Sequence, residues 1–252
     1  MGRDLDLDLV ALKKREEKGS IEMNTNTSIF AGTIGLLVAG TAMAGMNGLS
    51  YDVVEQVGDG AQAGTYTVRV YAELDADSRL DAVFGNANFG LQIQYMNGAS
   101  AYQNTTYGAP TSAGINEAFF PLAPSLEWDS YMTIGALYSA DNALQDIGID
   151  WSNWEAGGDL PASGVVDNGT FFITPADAQG EAVNGRVLVA QLTTYAELDG
   201  VGDAYFTAGF QGSTAGDGWQ QQHSIVIDAI PAPGAIALLG LAGLAGRRRR
   251  RA

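Results

Sequence analysis

The sequence predicts an all-β fold, an antiparallel β-sandwich of jelly-roll or Ig-like character. Three observations predict it. Short stretches alternate apolar and polar residues with a period of two, as half-buried strands do. Clusters rich in Gly, Asn and Asp punctuate them, including Gly58-Asp59-Gly60, Asn97-Gly98, Gly157-Gly158-Asp159, Asp167-Asn168-Gly169 and Gly216-Asp217-Gly218. Between the two chain ends no stretch carries a sustained 3.6-residue apolar stripe with caps.

The first element is a leader, residues 1–44. Residues 29–40 form an apolar run, followed by Thr41-Ala42-Met43-Ala44. Ala42 and Ala44 make the small-x-small pattern a signal peptidase reads, so cleavage is expected after Ala44. The run predicts a short signal helix, too short to span a bilayer. Met23 is the expected biological start, and a long mixed-charge leader from Met1 is the alternative.

The body, residues 45–230, supplies the strands. Residues 65–73 place Tyr66, Val68, Val70 and Ala72 on one face and Thr67, Arg69, Tyr71 and Glu73 on the other. Residues 89–95 alternate Phe89, Leu91, Ile93 and Tyr95 with Gly90, Gln92 and Gln94. Further strands are expected at 51–57, 80–85, 131–138, 169–174, 186–195, 204–211 and 224–230. Residues 97–128 read as a structured loop, polar and aromatic, with Pro110, Pro121 and Pro124. The pentapeptide Tyr-Ala-Glu-Leu-Asp occurs at 71–75 and 195–199, which predicts two similar hairpins rather than a duplicated domain.

Charge bounds the partners. The body holds 23 acidic residues against Arg69, Arg79 and Arg186, a net charge of −20 without a lysine. That surface repels nucleic-acid phosphates and anionic membranes, so no nucleic-acid partner is expected. It favours hydration outside the cell. The chain has no cysteine, which excludes disulfides, Cys-based metal sites and a Cys nucleophile.

Candidate chemistry is sparse. His223 is the only histidine and precedes the last expected strand, and no Gly-x-Ser-x-Gly elbow accompanies it. Asp75, Asp77 and Asp81 sit at positions one, three and seven of an acidic turn, but Arg79 and Leu80 occupy the positions an EF-hand gives to Asp/Asn and Gly. They are weak calcium candidates, and a solvated acidic turn is the plainer account; Asp199 and Asp203 bracket another such turn. No other cofactor is expected. Trp128, Trp151 and Trp154, with Tyr131, invite sugar stacking on extracellular polysaccharide, against the competing reading that they fill the core. Glu127 and Asp129 flank Trp128, and two carboxylates are the minimum set of a glycosidase.

The last element is the tail, residues 231–252. It reads Pro231-Ala232-Pro233-Gly234, an apolar run to Gly246, then Arg247, Arg248, Arg249, Arg250 and Arg251. As a helix the run is about 20 Å long, against a hydrocarbon core of roughly 30 Å. It suits transient lodging in the inner membrane with the arginines on the cytoplasmic side. Gly240, Gly243 and Gly246 keep it slim and weakly helical.

This tail resembles a PEP-CTERM sorting signal, the bacterial tag handled by exosortase. Members carry Pro-Glu-Pro, an apolar stretch and a terminal Arg cluster; here Ala232 stands in place of the Glu. The resemblance covers residues 231–252. It implies export, transient anchoring, cleavage by an exosortase-like enzyme and release to the envelope or matrix. A plain C-terminal membrane anchor is the competing reading. The combined expectation is a non-catalytic structural or adhesive matrix component, with a carbohydrate-binding module and then an extracellular hydrolase as alternatives.

Overall fold

The computed structural model describes residues 45–196 and 202–228. The signal and sorting segments, with Ala42, Ala44 and residues 231–252, lie outside the described residues, as does Asp199. Among the described residues no helix is long and apolar enough to cross a membrane.

Eleven strands run in the order β1 (Met46–Val54), β2 (Thr65–Leu74), β3 (Ser78–Gly85), β4 (Gln92–Tyr95), β5 (Ser100–Ala101), β6 (Tyr131–Met132), β7 (Gln145–Ile147), β8 (Gly169–Phe172), β9 (Arg186–Tyr195), β10 (Gly202–Thr214) and β11 (Asp217–Asp228). One short helix, α1 (Ser152–Glu155), interrupts them. Each strand pair is antiparallel. One sheet has the order β1-β2-β9-β5, with β6 also on β9; the other runs β11-β10-β3-β8-β7, with β4 also on β10. The described residues are all-β, in two antiparallel sheets.

The period-two pattern of β2 is the reason these sheets have an inside. Tyr66, Val68, Val70 and Ala72 are buried in an apolar cluster shared with Leu80 and Val83 of β3, Phe171 of β8, and Phe206 and Phe210 of β10. Burying such side chains stabilises by roughly 1.5–3 kcal/mol each. At the open side of the sheets, β1 and β11 are bridged by side chains rather than a ladder. The Met46 N–H donates to Gln221 Oε1 at 3.1 Å, and the Asp228 N–H reaches the Tyr51 hydroxyl at 3.5 Å.

Several elements differ from the sequence reading. The strand expected at 131–138 shrinks to Tyr131–Met132, because Gly135 adopts a φ of +75° and turns the chain away. The strand expected at 89–95 starts only at Gln92, since Leu91 makes a single bridge to Val166. The last hairpin is longer than expected. It turns on Ala215 and Gly216, one residue earlier than the Gly216-Asp217-Gly218 signal, so Asp217 and Gly218 belong to β11. The repeated pentapeptide does not mark equivalent positions: Tyr71 pairs with Leu188 inside the sheet, whereas Tyr195 pairs with Thr65 at its end.

Residues 97–128 are a structured loop apart from the two-residue strand β5. They carry 3-10 turns at Ser112–Gly114, Glu117–Phe119 and Pro124–Trp128. Ile115 and Leu126 join Tyr131 in a second small apolar cluster. This loop lies over the outer face of the five-stranded sheet, where Gln191 Nε2 donates to the Glu127 and Asp129 carbonyls at 3.0 Å each. That cover explains why β9 is buried on both faces through most of its length.

Candidate functional site

The tryptophans nominated for sugar stacking do not form an exposed platform. Trp128 is 3% exposed and Trp154 is 0% exposed. Trp154, on α1, stacks against Tyr95 with ring centroids 6.2 Å apart. Trp151 is half-buried against the core, and its Nε1 donates to Asp146 Oδ1 at 2.9 Å. Tyr131 is also buried. The physical reason is area: an indole gains most by entering the core when the fold offers one.

The acidic turn between β2 and β3 is occupied by its own chain. Asp75 Oδ2 accepts from the Gly45 N–H at 3.1 Å and Oδ1 from Asn47 Nδ2 at 2.8 Å. Asp81 pairs with Arg79 at 2.7 Å. Asp77 sits at a φ of 61°, holding the turn itself. Among the described residues no three His, Asp or Glu side chains gather in a way that could hold a metal ion. Asp203 accepts from the buried Tyr66 hydroxyl at 2.8 Å.

The other candidates are separated and structurally engaged. His223 lies on the edge strand β11, with Nε2 3.2 Å from Gln221 Oε1 and its ring 6.2 Å from Phe210. Burial lowers its pKa, and a hydrogen bond with the Met46 backbone opposes that. Asp129 is fully buried, where it accepts from the Asn104 N–H at 2.6 Å and the Ala109 N–H at 3.2 Å. Burial pushes its carboxyl up to about 7, against the lowering effect of these backbone donors. Asp129 therefore pins the loop.

A different surface stands out once strand register is known. Residues directly opposite each other in a sheet point to the same face. One row across the six-stranded sheet is Gln220, Gln211, Ala82, Phe172 and Gln145. The next is Gln222, Gly209, Phe84, Thr170 and Ile147. Beyond them come Ser224, Thr207 and Gln92, then Val226, Tyr205 and Gln94. These sixteen positions include six glutamines and no charged residue. The corresponding rows of the five-stranded sheet pair Asp52 with Arg69 and Glu73 with Arg186. These four rows form an uncharged patch, bounded at one end by Arg79 and Asp81 and at the other by Asp228, whereas charge runs through the rows of the five-stranded sheet.

No family model and no curated protein matches this chain.

The uncharged face has internal order. Gln220 Nε2 donates to Gln211 Oε1 at 2.7 Å, and Gln92 Nε2 donates to the Gly164 carbonyl at 2.9 Å. Phe84 lies across β10, where a Cβ on Gly209 would come within 2.6 Å of its ring. Phe89 leans on Phe84 with centroids 6.0 Å apart. Two shallow depressions of about 300 and 310 Å³ share Phe84 and Thr170 and join along this face. The Arg79–Asp81 ion pair stands at one end of it.

The sequence contained a partial signal for this face in the i, i+2 spacing of Gln92 with Gln94 and of Gln220 with Gln222. Which other residues join them depends on strand order, which crosses from β11 to β7 through segments far apart in the chain.

Proposed function

We propose that this chain is an exported, non-catalytic adhesive or structural component of the cell envelope or extracellular matrix. The observation that carries the reading is the tail: Pro231-Ala232-Pro233-Gly234, a short apolar run and five terminal arginines in that order. In this reading signal peptidase cuts after Ala44. The tail then lodges in the inner membrane, and an exosortase-like enzyme releases the domain. The two sheets are read as a β-sandwich of jelly-roll or Ig-like type. Two observations on the domain support adhesion over catalysis. Asp129, one of the two carboxylates beside Trp128, is engaged in holding a loop, and four rows of the six-stranded sheet offer amides and aromatic rings without charge.

The test is the intact mass of the protein recovered from the native host's medium and envelope. A mass matching a chain from Gly45 to near Pro233 supports both processing events. A mass that retains Arg247 to Arg251 overturns release by sorting and makes the tail a membrane anchor.

A further inference from the structure

We propose that the uncharged outer face of the six-stranded sheet binds a neutral, hydroxyl-rich polysaccharide laid across the strands. The inference rests on the adhesive reading above and names its ligand.

Charge narrows the occupant first. The body carries a net charge of −20, and repulsion of anions extends about 10 Å from exposed carboxylates at moderate salt. An anionic polymer is therefore disfavoured anywhere on this domain. A cationic polymer gains most on the acidic surfaces, so an uncharged face is its worst landing place. A second copy of the domain brings the same net charge and is repelled. A neutral polymer meets none of these penalties.

The side-chain chemistry points the same way. A sugar hydroxyl both donates and accepts, and so does a primary amide. The Gln220–Gln211 bond fixes two amides side by side and leaves Gln211 Nε2 and Gln220 Oε1 for a ligand. Gln94, Gln145, Gln211, Gln220 and Gln222 are all exposed. Phe172, half-buried between Ala82 and Gln145, supplies an apolar surface for a sugar ring, and Phe84 forms the floor beside it. The row from Gln220 to Gln145 crosses five strands, a span of roughly 19 Å at strand spacing. That extent suits a chain segment better than a single sugar.

The experiment is affinity electrophoresis of the full chain in native gels containing hydroxyethyl cellulose, glucomannan or dextran, with alginate as the anionic comparison. The expected result is retardation by at least one neutral polymer, with any alginate retardation through Arg247 to Arg251 left unchanged by substitutions on the sheet face. Gln211→Glu and Phe172→Ala are each expected to weaken that retardation about tenfold or more. Gln211 is exposed, so its variant should keep the parent melting temperature and serve as the folding control. Absence of retardation by every neutral polymer overturns the proposal, as does equal retardation of both variants. Concentration-dependent mass in light scattering that Gln211→Glu abolishes would assign the face to a second copy and also overturn it. Failure here is separable from failure of the adhesive reading. A correctly processed matrix protein whose variants stay in the matrix refutes this face alone. A polymer-binding chain that is never exported refutes the matrix role alone.

Discussion

Asp129 gains two backbone N–H donors in the folded state but no cation, and burial dominates its ionisation. Its folded pKa of about 7 lies above the 3.8 of a free aspartate side chain. Between those values the native state holds a proton that the unfolded chain has lost. Stability from this group is complete in acid below the unfolded value and disappears as pH rises through 7. At about 1.4 kcal/mol per pKa unit, the effect is on the order of a few kcal/mol. Denaturant titrations should find the domain more stable at pH 5 than at pH 8, and Asp129→Asn should flatten that difference. An unchanged slope in the variant would assign the pH dependence elsewhere. Glycine positions give a second residue-scale outcome. A Cβ on Gly212 would fall 1.9 Å from the Arg79 carbonyl oxygen and 2.5 Å from the Trp219 ring. Gly212→Ala should cost about 3 kcal/mol, read as a lowered denaturation midpoint at constant slope. Neither role could be read from sequence, because both depend on groups brought close by folding.

At the scale of elements, the hairpin between β10 and β11 carries the clearest consequence. Ala215 and Gly216 have φ of 50° and 93°, and Thr214 pairs with Asp217 across them. Two consecutive left-handed residues define the turn that suits strand twist, and alanine is a poor choice for its first place. Ala215→Asn should raise stability by up to about 1 kcal/mol, measured by thermal unfolding, because Asn tolerates the left-handed region better than Ala. Gly216→Ala should lower it by more than that; a neutral result would mean the turn relaxes. Strand β2 shows how much an element reveals alone. Its alternation identified the inward face correctly, since Tyr66, Val68, Val70 and Ala72 are buried. It failed for Thr67, which is buried on the opposite face and shares a 2.6 Å hydrogen bond with Thr193. A loop from a distant part of the chain covers that face, and local periodicity carries no information about such cover.

The domain as a whole is a highly charged body with few cations. Of its three arginines, Arg79 pairs with Asp81 and Arg186 pairs with Asp52 at 2.5 Å, leaving a large excess of carboxylates. Self-repulsion of that kind destabilises the compact state and is screened by salt. Raising NaCl from about 10 mM to about 200 mM should raise Tm by a few degrees, on the order of 1 kcal/mol in stability. A fall in Tm would show that the surface ion pairs matter more than the repulsion. The all-β class, the inward face of β2, the acidity of the body, the lack of cysteine chemistry and the order of the tail were all legible in the bare chain. These follow from composition and from periodicities that act within a few residues. Folding alone buries Trp128 and Trp154, sets Asp129 to pin a loop and brings sixteen uncharged positions onto one sheet face. The physical reason is that burial and shared faces depend on strand order and register, which join residues from opposite ends of the domain.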